Sequence, residues 1–110
     1  MSLRRKGTDR SGIAALDYEL AQEQATALGR LGRALEMALN ALAAFDRDEA
    51  GPAGARAKLV AEASDALWYF VVQREACGLR DSRTVMRDYR VPPEVQNRMG
   101  IFGVRRRNPP

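Results

Sequence analysis

The chain has 110 residues, 45% of them apolar, a formal net charge of +4, one cysteine and no histidine. That length and composition fit a single globular domain. A lone Cys77 excludes an intramolecular disulfide, and the missing histidine excludes the Ser-His-Asp and Cys-His catalytic families and the usual zinc sites.

Residues 1–11 read as a disordered basic tail, in which Arg4, Arg5, Lys6 and Arg10 outweigh Asp9 by a net +3. The segment lacks the apolar stretch of a secretory signal. No run anywhere approaches the ~20 apolar residues of a membrane span. The expectation is a cytoplasmic protein with no membrane contact.

The first predicted helix covers about residues 12–45. Leu28, Leu31, Leu35, Ala38, Leu42 and Phe45 recur at alternating spacings of three and four, the helical period. Ile13, Leu16 and Leu20 continue it less regularly. Such a helix spans about 50 Å at ~1.5 Å per residue. Gly29 and Gly32 inside it each cost roughly 1 kcal/mol against alanine. They are either tolerated surface glycines or points where another backbone or a bend comes close.

Gly51-Pro52 marks a turn, with Pro52 suited to the start of a second helix over about 53–77. Leu67-Trp68-Tyr69-Phe70-Val71-Val72 passes for a buried strand, but its flanks lack glycine and proline and favour helix. Gly78 suits the left-handed position that ends a helix, followed by Leu79. Cys77 at that terminus reads as a small structural hydrophobe, because this end of the helix dipole disfavours a thiolate. Asp81 or Ser82 caps a third helix over about 82–89. Val91-Pro92-Pro93 breaks it, and a fourth runs over about 93–99 with Gly100 as stop. Ile101, Phe102 and Val104 are placed to pack back on a single helical domain of residues 12–104. Arg105, Arg106 and Arg107 belong to a second disordered basic tail, 105–110. With both tails set aside, residues 11–104 carry a net −2, so the basicity is not that of a folded nucleic-acid face.

At ~100° per residue, Leu59, Ala63, Ala66, Leu67 and Phe70 form one stripe on the second helix, with Trp68 and Val72 almost opposite. Arg74 falls near the main stripe. Its charge needs Glu36, Asp65 or Asp81 as partner, or a path along the stripe to water. The first helix also overshoots the second. Two helices cannot bury all this apolar surface, so either residues 79–104 or a second chain covers the rest. An all-α helical hairpin closing as a dimeric bundle is the expected architecture. Leu28, Leu31, Leu35, Leu42, Trp68 and Val72 are the expected interface.

Glu62-Ala63-Ser64-Asp65 before the run Leu67–Val72, continuing to Gly78-Leu79-Arg80-Asp81, resembles the second motif of MazG-like all-α nucleotide pyrophosphohydrolases. The resemblance implies carboxylates holding magnesium on a nucleoside triphosphate, with Glu36, Glu62 and Asp65 as candidates. The preceding helix departs from the family's ExxE, having Leu39 and Asn40 three and four residues after Glu36. That leaves a degenerate nucleotide-binding relative.

Val85-Met86-Arg87-Asp88-Tyr89-Arg90-Val91-Pro92-Pro93-Glu94-Val95-Gln96-Asn97-Arg98-Met99-Gly100 resembles a helix-turn-helix, in which Gln96, Asn97 and Arg98 are types that read bases. Arg90 stands where that motif has glycine, and Val95 comes one residue early. A capping segment over the second helix is the preferred reading, with a DNA-binding regulator as the alternative. The stretch from Asp65-Ala66-Leu67-Trp68-Tyr69 through Tyr89-Arg90-Val91-Pro92-Pro93 to Arg98-Met99-Gly100 also resembles a small family of uncharacterised bacterial proteins without assigned activity. The sequence therefore leads to a non-enzymatic, self-associating protein–protein interaction module, with no metal and no cofactor.

Overall fold

The computed structural model describes residues 2–48 and 51–99, with side chains from residue 12 onward. Four helices follow one another: α1 (Ser2–Asp48), α2 (Ala55–Ala76), α3 (Ser82–Asp88) and α4 (93–99), with no strand among the described residues. The expected positions of Gly100, Ile101, Phe102, Val104 and the tail 105–110 lie outside them. No described helix is long and apolar enough to cross a membrane.

The α1 helix is 47 residues long and begins at Ser2, well before the expected start near residue 12. Polar composition alone does not break a helix, and no proline stands between Ser2 and Asp48 to do so. The α2 helix starts two residues later than Pro52 suggests. Gly54 adopts φ +87°, a left-handed conformation outside the helix, and the amide of Ala55 donates to the Pro52 carbonyl at 3.1 Å. Leu67–Val72 is helical, as its flanks require.

The end of α2 is a left-handed glycine cap. Gly78 sits at φ +89°, its amide donates to the Glu75 carbonyl at 3.0 Å, and Leu79 donates to Arg74 at 2.8 Å. The Asp81 side chain caps α3, accepting from the Arg83 amide at 3.1 Å. The end of α3 repeats the pattern of α2 without a glycine. Arg90 takes φ +52°, donating to Arg87 at 3.2 Å, while Val91 donates to Met86 at 3.0 Å. The Pro92 carbonyl then accepts from Val95 and Gln96 at the start of α4.

α1 and α2 form an antiparallel hairpin. Its two joined ends are tied where Arg56 Nε donates to Asp46 Oδ1 at 2.7 Å. The core consists of Leu35 and Leu42 from α1, Val60, Ala63, Leu67, Phe70 and Val71 from α2, and Val85, Val91 and Val95 from the C-terminal segment. The α3–α4 segment therefore lies on the hairpin as a third layer. Tyr89 meets Phe70 edge-on, with centroids 5.4 Å apart and planes at 66°. Its hydroxyl reaches α1 at Gly32, where an added Cβ would lie 2.8 Å from it. Gly32 is buried and is a point of close approach, whereas Gly29 faces only the flexible end of Arg33. The buried Ser64 hydroxyl donates to the Val60 carbonyl (2.8 Å) and is also within reach of the Val95 carbonyl (3.2 Å), joining α2 to α4.

Arg56 makes the same three-element link in charge. Besides Asp46 it grips Glu94 of α4, with Nη1 to Oε2 at 3.0 Å and Nη2 to Oε1. The guanidinium holds both the Asp46 and Glu94 carboxyls below their usual values, mainly by hydrogen bonding, and its own pKa is raised in turn. All three groups are half-exposed, so solvent screens much of this attraction.

Candidate interaction surface

The carboxylates implied by the MazG-like resemblance do not converge. Glu36 lies on α1 beside Asp88 and Tyr89, in a shallow groove under the α3–α4 turn. Glu62 and Asp65 are exposed on α2, turned about 140° and 160° away from the core residue Leu67 at ~100° per residue. Glu62 faces Lys58 at 3.9 Å. Among the described residues no three acidic, cysteine or histidine side chains are close enough to hold a metal ion.

The helix-turn-helix string does form two helices and a turn, but its contacts point into the molecule. Val85, Val91 and Val95 are core residues. Gln96 spends its side-chain amide on the Val91 carbonyl at 2.8 Å, and Glu94 is held by Arg56. Asn97 and Arg98 are exposed. Arg83 and Arg87 each lie beside an aspartate, Asp81 at 3.8 Å and Asp88 at 3.2 Å. This is a segment that closes the hairpin.

Arg74 forms no ion pair with Glu36, Asp65 or Asp81. Its guanidinium instead lies 5.9 Å from the centre of the Phe70 ring, within cation–π range, and its Nε is buried without a hydrogen-bond partner. Cys77 is a free, half-buried thiol whose sulfur accepts from Gln73 Nε2 at 3.7 Å.

The six residues expected at an interface divide. Leu35 and Leu42 are buried in this chain's own core and are not available to a second copy. Leu28 and Leu31 are partly buried against that core. Trp68 is half-buried, while its neighbours Tyr69 and Val72 are 51% and 42% exposed. Residues 79–99 thus provide a third layer without removing all apolar surface from the outer side of α2.

The larger unburied surface lies elsewhere. The 22 residues of α2 extend about 33 Å, and the 47 of α1 about 70 Å, at ~1.5 Å per residue. That difference gives the molecule its 72 × 34 × 22 Å form. Every residue from Gly12 to Thr26 is exposed, including Ile13 (59%), Leu16 (57%) and Leu20 (49%). At ~100° per residue, these three lie within about 60° of the line through Leu31 and Ala38, which packs against the core. From the line of the fully buried Leu35 and Leu42 they lie about 30° (Ile13), 50° (Leu20) and 90° (Leu16) away, so an apolar stripe along one edge of the buried face runs on into an arm that no other described element reaches. A depression along this arm is lined by Glu19, Glu23, Arg30 and neighbours from α1 alone, so it encloses nothing. The signal for this surface was present in the sequence as the overshoot of the first helix and as Ile13, Leu16 and Leu20 continuing its stripe less regularly, but the expected interface fell on Leu28, Leu31, Leu35, Leu42, Trp68 and Val72.

The chain belongs to a family of unknown function, DUF6665, which matches residues 2–107. No curated protein and no solved structure matches it. The family brings no activity with it, and neither the comparisons nor the carboxylate positions support the MazG-like resemblance.

Proposed function

We propose that this protein is a non-catalytic helical interaction module that self-associates through the N-terminal arm of α1, beyond the end of α2. The observation that carries this reading is the run of exposed Leu20, Leu16 and Ile13 beside the line of the core face, where α1 has no neighbour among the described residues. A contiguous exposed apolar face of this kind marks an interface. A lone helix of this length is also only marginally stable in water, and pairing removes both difficulties. The domain is the hairpin with its α3–α4 layer, and the arm is its means of contact.

Sedimentation velocity and light scattering across micromolar concentrations test this on the full chain. The wild type is expected at twice the 12.2 kDa of one chain. Leu20→Glu removes about 1.4 kcal/mol of apolar burial from each copy, ~3 kcal/mol for the pair and roughly a hundredfold in Kd. The variant is expected to be monomeric at concentrations where the wild type is paired, with unchanged helicity of the body. A wild type that stays monomeric throughout, or a Leu20→Glu variant that pairs as tightly as the wild type, contradicts the proposal.

A further inference from the structure

Resting on the arm as a self-association surface, we infer that its seat is the open side of α1 in the partner's body, with a two-fold axis near Ala27. The arm alone is too small to hold a pair. Three half-exposed aliphatic side chains offer on the order of 200 Å², whereas a stable interface buries about 800 Å² from each partner. The contact has to continue beyond the arm, and α1 offers a line for it. Leu20, Ala27, Ala34 and Ala41 recur in steps of seven, and Leu16, Glu23, Arg30 and Met37 recur in the same steps between them, the repeat of paired helices. Ala27 is half-buried and the others are exposed, Met37 by 72%. At ~100° per residue they lie within about 50° of one line, roughly 100° round the helix from the buried Leu35 and Leu42. The α3–α4 segment meets α1 on the opposite side, at Gly32 and Glu36, and leaves this line clear.

Closure sets the orientation. Both copies can seat their arms at once only in an antiparallel pair, because a parallel stagger leaves one arm unfilled at each end and grows into an open chain. The end of α2 sets the axis. Phe70 lies against Gly32, so α2, which ends at Ala76, stops at the level of about residue 26 on α1. A two-fold at Ala27 then lays the exposed 12–26 of each copy along 28–42 of its partner, with the two α2 helices end to end rather than side by side. Leu20 comes to face the partner's Ala34, Leu16 the partner's Met37 and Glu23 the partner's Arg30. Leucine meets alanine, and opposite charges meet. Neither Glu23 nor Arg30 makes an ion pair among the described residues. An in-register parallel pair instead sets Glu23 on Glu23 and Arg30 on Arg30, like charges that disfavour it.

Disulfide trapping of the full chain tests the seat, with Cys77→Ser removing the native thiol. Leu20→Cys and Ala34→Cys are made singly and together; both positions are exposed, so the body is undisturbed. With the axis at Ala27, each single variant holds its two thiols ~21 Å apart along the helix at ~1.5 Å per residue, beyond disulfide reach. The double variant brings position 20 of each copy to position 34 of the other, and the two positions within one chain are equally far apart. The expected result under mild oxidation is covalent dimer from the double variant and roughly tenfold less or lower from either single one. Leu20→Cys that traps alone as well as the double variant places arm on arm; it overturns the seat and leaves self-association through the arm intact. Failure of the double variant to trap while it scatters as a dimer likewise overturns the seat. A wild type that scatters as a monomer removes the underlying reading itself.

Discussion

The third layer of the fold rests on a close approach that a single methyl group can probe. Gly29 and Gly32 both lie inside α1, and each costs roughly 1 kcal/mol relative to alanine. At Gly29 an added Cβ meets only Arg33 Nη1, at 3.3 Å, the end of a side chain free to swing away. Gly29→Ala is expected to stabilise the protein by about 1 kcal/mol, near 4 °C in melting temperature for a domain of this size. At Gly32 the same methyl lies 2.8 Å from the Tyr89 hydroxyl, which must move. That disturbs the edge contact with Phe70, worth ~0.5–1.5 kcal/mol, and adds overpacking of ~1–3 kcal/mol. Set against the same helical gain, Gly32→Ala is expected to destabilise by about 1 kcal/mol. Tyr89→Phe removes the offending oxygen and leaves Phe70 atoms at 3.4 and 3.5 Å, ordinary contacts. In that background Gly32→Ala is expected to stabilise by about 1 kcal/mol, a coupling of ~2 kcal/mol in a double-mutant cycle. Thermal and urea melts at one fixed protein concentration read all of these. If Gly29→Ala and Gly32→Ala stabilise equally in both backgrounds, Tyr89 does not sit over α1 and the third layer is misplaced.

Further outcomes follow from the same contacts. Arg90 holds a left-handed conformation at φ +52° that costs a side-chain-bearing residue ~1–2 kcal/mol, so Arg90→Gly is expected to raise stability by about 1 kcal/mol in urea melts; a loss identifies an interaction of the arginine that outweighs the strain. Ser64→Ala leaves the Val95 carbonyl without its hydroxyl contact and is expected to cost about 1 kcal/mol, with faster amide exchange in 93–99 than in the middle of α2; uniform loss across both contradicts a local link. Asp46 and Glu94 have carboxyls lowered by Arg56. Their contribution is therefore present at neutral pH and is lost as pH falls from about 4.5 through the lowered values. Arg56→Gln is expected to flatten the fall in melting temperature between pH 5 and pH 3, and parallel pH curves for wild type and variant refute the link.

Much of the fold was legible in the sequence because its signals are local. The three-and-four spacing from Leu28 to Phe45 announces α1, Gly78 announces the end of α2, and Asp81 and Pro93 announce the starts of α3 and α4. The start of α1 was not legible, because a polar segment without proline carries no stop signal. The start of α2 was misplaced because Pro52 is also at home in a turn, and Gly54 carries the chain from that turn into the helix. Periodicity names the buried face but not what buries it. Leu35 and Leu42 therefore read as interface residues yet are filled from within by α2. Arg74 shows the same limit: its position near the core stripe required a partner, and the contact it makes is with an aromatic ring, Phe70. The candidate surface was legible as a mismatch of helix lengths and as the less regular continuation of the stripe upstream of Leu28. That Ile13, Leu16 and Leu20 stay uncovered needed the end of α2 in three dimensions.

Amide hydrogen exchange over residues 12–26, followed at two protein concentrations, tests self-association through the arm most directly. An unpaired helical arm opens with a free energy near zero and its amides exchange within seconds. The account predicts protection of Ile13 to Thr26 that rises with concentration and disappears in Leu20→Glu, while α2 stays protected in both. Arm amides that exchange at unprotected rates at every concentration contradict it.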